Sequence, residues 1–149
     1  MNYTYKYPRP AVTTDIILTA GKHKATHILL IERKNEPYKG LWALPGGFID
    51  MDEDLDEACL RELKEETGIE GIKIHQFCTV GTPGRDPRGR TITIVYLAHT
   101  EEMVNPVAGD DAANAKWFET DNLPELAFDH LEIINKFKES LVNLSFDKP

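Results

Sequence analysis

The chain has little that would tie it to a membrane, to secretion or to a nucleic acid. Only two of its 149 residues are cysteine, too few for a disulfide framework, so a reducing cytoplasm is the simplest setting. No apolar run approaches about 18 residues, which excludes a membrane span, and the N-terminus lacks the basic start and apolar core of a signal peptide. Basic residues are also scarce. With 17 Lys and Arg against 25 Asp and Glu, the net charge of −8 argues against a nucleic-acid polymer as ligand.

Length and composition predict one globular domain over residues 1–149. The hydrophobic fraction of 41% and the charged fraction of 28% are ordinary for such a domain. The strand and helix patterns follow the order β-β-β-α-β-β-β-α, which predicts an α/β (α+β) fold with a mixed sheet between helices. The predicted strands are Ala11–Thr19 and Ala25–Arg33 (a hairpin), Leu41–Leu44, Ile72–Val80, Thr91–Thr100 and Ala115–Phe118, and the last helix is Ala127–Leu144.

The acidic residues that are present are concentrated in one segment. Ten of the 25 lie between Gly46 and Glu70, where the only cations are Arg61 and Lys64. A cluster of this kind repels itself unless something cationic lies among the carboxylates. A small anion that brings its own metal ion is therefore compatible with this charge.

The same segment carries the start and stop signals of a helix from about Asp54 to Thr67. Asp54 can cap the first turn, with Glu57 three residues later as in a capping box, and Gly68 supplies a left-handed stop. At about 100° per residue, one face of this helix combines apolar and acidic side chains, namely Leu55, Ala58, Cys59, Glu62 and Glu66, with Glu65 on its flank.

Inward-facing carboxylates leave two interpretations open. A solvent-exposed acidic helix is the usual explanation of a charge run, but here it would leave the apolar face short and bury carboxylates at a large desolvation cost. A bound divalent ion removes that cost and offsets the repulsion between Glu62 and Glu66, an i,i+4 pair. Oxygen ligands favour Mg²⁺ or Mn²⁺ over zinc.

The segment resembles the signature box of the Nudix hydrolases and matches it at each defining position: Gly47, Glu53, Arg61, Glu62, Leu63, Glu65, Glu66, Gly68 and Ile69. The resemblance implies an α/β/α sandwich with a strand–loop–helix metal site that hydrolyses a nucleoside diphosphate linked to another moiety. It also implies which residues bind the metal and act on the substrate. The implied metal ligands are Glu62, Glu65, Glu66 and the carbonyl of Gly47 (or Gly46), and the implied base is Glu65 or Asp111.

Glu53 and Arg61 are expected to pair and brace the loop against the helix. Asp111, in the polar stretch Gly109-Asp110-Asp111, is as well explained by a turn as by a catalytic role. Cys59 is expected to be a small apolar residue of the helix rather than a redox group.

A loop of residues 82–90 carries Arg85, Arg88 and Arg90 in an otherwise acidic chain. Arginine forks suit bidentate contacts to phosphate, so we expect Arg85 or Arg88 to contact a substrate phosphate. The alternative is a hairpin tip exposed to solvent.

Resemblance to the bacterial and archaeal ADP-ribose pyrophosphatases extends over most of the chain. It includes the loop 82–90, the stretch Pro37–Phe48 and the tail Ala115–His130, and it makes Phe48 and His130 further candidates for substrate contact. The leading hypothesis is therefore Mg²⁺-dependent hydrolysis of ADP-ribose to AMP and ribose 5-phosphate. His130 has the alternative of a purely structural place next to Asp129, the expected N-cap of the last helix.

Two other functions stay open. The first is the same chemistry on an oxidised nucleoside triphosphate, NADH or a dinucleoside polyphosphate. The second is a nucleotide-sensing Nudix domain of a transcription regulator, which we expect less, because 149 residues leave no room for a DNA-binding domain and sensors often lose box acids that are all present here. We also expect a homodimer, in which the aromatic N-terminal residues 1–7 pack against the partner.

Overall fold

The described part of the chain in our computed structural model forms seven strands and two helices. The structure describes residues 2–109 and 111–146, without the side chains of 144–146. In chain order the elements are β1 (Ala11–Ala20), β2 (His27–Arg33), β3 (Trp42–Ala43), β4 (Gly46–Phe48), α1 (Leu55–Thr67), β5 (His75–Val80), β6 (Thr91–Thr100), β7 (Ala112–Glu119) and α2 (His130–Phe146).

The strands form one mixed sheet in the order β3-β2-β1-β6-β5, with β4 paired to β1 and β7 paired to β2. β1 runs antiparallel to β2 and β4, and parallel to β6 from the pair Ala11 and Thr91 to the pair Ala20 and Thr100. The mixed sheet expected from the sequence is confirmed.

Each face of the sheet is covered by one helix. On one face Ile16, Leu18 and Tyr96 pack with Cys59 and Leu63 of α1. The other face carries the core to which α2 contributes, and its buried members are Ile17, Ile28, Leu30, Leu44, Val95, Ile133, Ile134 and Phe137. Strands buried on both faces need near-continuous apolar runs, as in β1 and β2. The α/β/α sandwich is therefore confirmed.

Helix α1 has the predicted ends. The Asp54 N–H donates to Glu57 Oε2 at 3.1 Å within a capping box. Gly68 has φ 72°, and its N–H donates to the Lys64 carbonyl at 2.8 Å. Cys59 is buried in the core as expected, and burial raises the pKa of its thiol to about 12. This thiol is therefore protonated and inert at neutral pH.

One strand was missed, and several predicted boundaries were wrong. The missed strand is β4, which has only three residues. In it Gly46 pairs with Asp15, and a Cβ at Gly46 would lie 2.1 Å from the Thr14 carbonyl oxygen, so the strand requires glycine. The last helix begins at His130 and not at Ala127, because Phe128 has φ 54°, outside the helical range. β2 and β5 begin later than predicted, at His27 and His75, and β7 begins earlier, at Ala112.

Two features of the outer surface bear on partners. Among the described helices, none is long and apolar enough to cross a bilayer. Tyr3, Tyr5 and Tyr7 are exposed near the N-terminus; Met1, which belongs to the same predicted packing surface, lies outside the described residues. The homodimer stays a prediction.

Candidate active site

A cavity of about 320 Å³ lies where α1, β4, the loop 82–90 and the residues before α2 meet. It is lined by all of the predicted site residues: Gly47, Phe48, Arg61, Glu62, Glu65, Glu66, Arg85, Arg88, Asp111 and His130. Residues from five separate stretches of chain therefore converge on one place.

Two carboxylates of α1 form the floor of this cavity beside the glycines of β4. Glu66 is only 6% exposed, and its Oε1 accepts a hydrogen bond from the Gly46 N–H at 3.1 Å. The Glu62 carboxylate lies directly against Gly47, where a Cβ would come within 2.6 Å of it. Burial raises the pKa of both groups, that of Glu66 well above its ordinary value. Without a cation, their joint ionisation is therefore costly.

Arg61 is the hub of the acidic cluster. Its guanidinium donates to Glu53 at 2.6 and 2.9 Å, to Glu62 at 2.9 Å and to Glu65 at 3.2 Å, and it also binds the Phe48 carbonyl at 3.1 Å. The predicted pair of Glu53 and Arg61 is confirmed. The hydrogen bonds that Arg61 donates to Glu53 lower the pKa of Glu53 to about 2 and raise the pKa of Arg61. This pair ties the loop before α1 to the helix.

The donor set at the cavity floor fits a hard divalent cation. It combines the carboxylates of Glu62 and Glu66, the flanking Glu65 and a backbone without Cβ atoms at Gly46 and Gly47. As the side chains lie, no three described His, Cys, Asp or Glu residues form a metal-binding group. Arg61 binds Oε1 of Glu62 and Oε2 of Glu65, so one oxygen of each carboxylate has no hydrogen bond from Arg61.

The loop 82–90 is anchored against the cavity and not a hairpin tip in solvent. Arg85 is nearly buried, with 5% of its side chain exposed, and its Nε and Nη2 donate to Asp129 at 2.9 and 2.7 Å. Asp129, at the expected N-cap position, thus uses its carboxylate to bind Arg85. Arg88 donates to the buried Asp86 at 2.8 and 3.0 Å. The phosphate contact predicted for Arg85 or Arg88 stays a prediction, and Arg85 already has its fork occupied.

Arg88 also contacts the aromatic wall of the cavity. Its guanidinium lies 4.9 Å from the Phe48 ring centre and 5.4 Å from that of Phe128. Phe128 packs edge-on against Tyr38 at 4.8 Å, and these two are the non-glycine residues with positive φ in the described chain. A positive φ at a non-glycine residue is strained, and it persists where the surrounding contacts hold the backbone in place.

The remaining two predicted residues, Asp111 and His130, differ in their exposure to solvent. Asp111 is exposed, with Asn35 Nδ2 at 3.5 Å from its Oδ1; its neighbour Asp110 lies outside the described residues. His130 is 4% exposed, and its Nδ1 accepts a hydrogen bond from the Leu44 N–H at 2.9 Å. Burial lowers the pKa of His130, so the ring is neutral at pH 7.

Sequence reasoning missed several residues that line the cavity, among them Asp86 and Phe128, described above, and two charged residues of the strands, Asp15 and Arg33. Asp15 is a buried carboxylate of β1, and its Oδ2 accepts from Thr93 Oγ1 at 2.6 Å. Arg33, at the end of β2, donates from Nε to the Pro37 carbonyl at 2.7 Å and lies 4.9 Å from the Phe128 ring centre, and it takes part in no ion pair within the described chain. The signal for Asp15 was a charged residue inside an apolar strand. For Arg33, which lies at a strand end, the sequence offers no comparable signal.

The chain matches known proteins along most of its length. The NUDIX domain family matches residues 9–137. An ADP-ribose pyrophosphatase from Methanocaldococcus jannaschii is 45% identical over 133 residues, which covers 88% of this chain and 75% of that protein. The ADPR-responsive transcriptional repressor NtrR from Acinetobacter baylyi is 34% identical over 134 residues. This match covers 87% of the chain but 54% of the repressor, so the chain spans about half of that relative.

A solved structure shows the same architecture. The NUDIX domain of Shewanella oneidensis NrtR, determined in complex with ADP ribose, superimposes with a TM-score of 0.83 at 37% identity and covers 94% of both chains. The fold, the signature box from Gly47 to Ile69 and the family match agree. Nudix hydrolases use divalent metals. The chain therefore belongs to the Nudix family and is a Nudix pyrophosphohydrolase.

Proposed function

We propose that this protein hydrolyses ADP-ribose to AMP and ribose 5-phosphate with Mg²⁺ or Mn²⁺ as cofactor. The observation that carries the proposal is one cavity lined by groups of both charges. Buried carboxylates of α1 line it together with cationic side chains of β2 and of the loop 82–90, which include Arg33 and Arg88. A diphosphate with a bound cation has the complementary arrangement of charge. The 45% identical relative is an ADP-ribose pyrophosphatase.

Glu62, Glu65, Glu66 and the carbonyl of Gly47 would hold the metal. When bound, a divalent ion neutralises charge that develops on the diphosphate and acidifies the attacking water. Arg61 would keep the loop with Glu53 in place and release Glu62 and Glu65 to the ion.

Either Glu65 or Asp111 would take the proton from the attacking water. Both line the cavity and both are solvent-accessible, since the Glu65 side chain is 41% exposed and Asp111 is exposed. Their positions do not distinguish them.

The substrate phosphates would contact Arg88 and Arg33. Arg88 is held in a fixed orientation by Asp86 and the Phe48 ring, which reduces the entropy lost on binding. Arg33 has a guanidinium without an ion-pair partner among the described residues, so it can receive a phosphate without breaking a salt bridge. Phe48 and Phe128 offer ring faces for the adenosine or the terminal ribose.

Product analysis by phosphorus NMR across four substrate types tests the proposal: ADP-ribose, NADH, a diadenosine polyphosphate and oxidised dGTP. We expect the highest kcat/KM on ADP-ribose, with AMP and ribose 5-phosphate as products. A kcat/KM at least about tenfold higher on another member of the panel would assign the substrate differently.

A sensing function is the second candidate, because a repressor that responds to ADPR is 34% identical to the chain. The same assay separates the two. Tight binding of ADP-ribose in the presence of Mg²⁺ without turnover would favour the sensor, whereas turnover favours the enzyme.

A further inference from the structure

A buried histidine lies between the start of α2 and the strand that carries the two glycines of the site. Because Nδ1 of His130 accepts the Leu44 N–H, the proton of the neutral ring is on Nε2. Nε2 lies 3.8 Å from Oδ1 of Asp15, the buried carboxylate of β1. The ring therefore faces a backbone donor on one side and a carboxylate on the other.

Both neighbours of the ring contact the glycine strand. Leu44 precedes Gly46 by two residues, and the Gly46 N–H binds Glu66. Asp15 is opposite Gly46 in the register of β1 and β4, and a Cβ at Gly46 would lie 2.6 Å from its Oδ1. The ring thus holds one end of a segment whose other end touches the site carboxylates.

The ring is itself held by contacts outside the cavity floor. Arg85 binds Asp129, the residue immediately before His130, through a two-pronged ion pair. The Ala127 N–H donates to the Trp42 carbonyl at 2.8 Å, which ties the residues before α2 to β3. His130 therefore cannot shift without disturbing two separate parts of the fold.

We propose that His130 is a positioning residue that holds the Leu44–Gly47 backbone in place against Glu62 and Glu66 and does not contact the substrate. Displacing reacting groups by about 1 Å can lower the rate up to roughly 10²-fold. Loss of the ring should therefore lower kcat and leave KM close to that of the parent. This activity effect rests on the proposed function, whereas the hydrogen bond to Leu44 can be tested without any substrate.

Two replacements separate the two ring nitrogens. In His130→Asn the amide oxygen can take the place of Nδ1, so the Leu44 N–H keeps its acceptor. In His130→Gln the amide nitrogen can take the place of Nε2, so the contact to Asp15 is kept while the Leu44 N–H loses its partner. The measurement is amide hydrogen exchange of Leu44 by NMR in the metal-free protein, followed by steady-state kinetics on ADP-ribose.

We expect Leu44 to exchange as slowly in the Asn variant as in the parent, and at least about tenfold faster in the Gln variant. We expect kcat of the Gln variant to fall by about 10- to 100-fold with KM little changed. Equal exchange of Leu44 in all three proteins would overturn the proposal. So would a raised KM at unchanged kcat, which is the signature of a lost substrate contact.

Two controls keep the outcome decisive. Ile72→Ala removes packing from the other core, on the α1 face of the sheet, at a residue outside the cavity lining, so it lowers the melting temperature but should leave Leu44 exchange and kcat unchanged. If neither His130 variant folds, the nitrogen shifts of His130 in the parent decide the question, because a proton on Nδ1 would contradict the bond to Leu44. Should ADP-ribose fail as substrate, the exchange result still stands.

Discussion

At the scale of single residues, the cost of burying Glu66 is the most accessible property of the site. Its pKa in the metal-free protein is raised by burial, so the ionised form at pH 7 lowers the free energy of unfolding. For a carboxyl group with a raised folded pKa, stability is highest below its unfolded pKa of about 4.3 and falls as the pH rises. We expect a divalent ion bound at the proposed site to offset this cost of ionisation.

We therefore expect metal-free Glu66→Gln to melt at the same or a higher temperature than the parent, because Gln keeps an acceptor for the Gly46 N–H without the charge. Added Mg²⁺ should raise the melting temperature of the parent more than that of the variant. Thermal unfolding with and without Mg²⁺ measures both effects, and Glu70→Gln, at an exposed glutamate, is the control. A large fall in the melting temperature of the metal-free variant would contradict the burial argument.

The contribution of Glu53 to the free energy of unfolding should depend on pH in the opposite direction. Arg61 lowers its pKa to about 2, so its stabilising effect is present above the unfolded pKa of about 4.3 and is lost as the pH falls toward the folded value. We expect the difference in unfolding free energy between the parent and Glu53→Gln to be present at neutral pH and to shrink in acid. Urea unfolding across this range measures it. A Glu53 carboxyl that titrates by NMR at the unfolded pKa would show that the Arg61 pair is absent in solution.

At the scale of elements, the loop 82–90 carries two arginines with different surroundings. Arg85 contacts Asp129, just before α2, and Arg88 contacts Asp86 and Phe48. Arg85 and Asp129 are both largely buried, whereas 40% of the Arg88 side chain is exposed toward the cavity. Removing one partner of a buried ion pair leaves an uncompensated charge and costs about 3 kcal/mol or more. Replacement of Arg85 should therefore lower mainly the stability of the protein, and replacement of Arg88 mainly its activity.

We expect Arg85→Ala to lower the unfolding free energy by about 3 kcal/mol, and the double variant with Asp129→Asn to recover part of that loss. Arg88→Lys keeps a cation beside Asp86 but loses the fork, so kcat/KM should fall by about tenfold with little loss of stability. Urea unfolding and kinetics on each variant make the comparison, with the exposed Arg90→Ala as control. Parent-like kinetics of Arg88→Lys would contradict the substrate contact of Arg88. Parent-like stability of Arg85→Ala would contradict the stabilising role of the Arg85–Asp129 pair.

The elements also show which features a sequence can predict. The signals for α1 are local, since Asp54, Glu57 and Gly68 lie within the helix or next to it, and its ends were predicted correctly. The contacts that build the cavity are not local. Arg85 binds a residue 44 positions away, and His130 accepts from a residue 86 positions away. Such pairings depend on the order of the strands in the sheet. Secondary-structure propensities and hydrophobic periodicity do not specify that order.

At the scale of the whole molecule, the parallel pairing of β1 with β6 brings residues from distant parts of the chain to one end of the sheet. It places Thr93 against Asp15, 78 positions apart, directly beside the glycine strand and the acidic face of α1. The cavity therefore collects carboxylates of α1 and β1 together with arginines of β2 and of the loop 82–90. We expect a divalent ion to supply the counter-charge that the buried carboxylates need.

The most direct test of this account is phosphorus NMR of ADP-ribose incubated with the parent and with Glu66→Gln, each in Mg²⁺ and in EDTA. We expect AMP and ribose 5-phosphate from the parent in Mg²⁺, no turnover in EDTA, and a kcat of the variant lower by at least roughly 10²-fold. Full turnover in EDTA, or near-normal turnover by Glu66→Gln, would contradict the assignment of the reaction to a metal held by this acidic face.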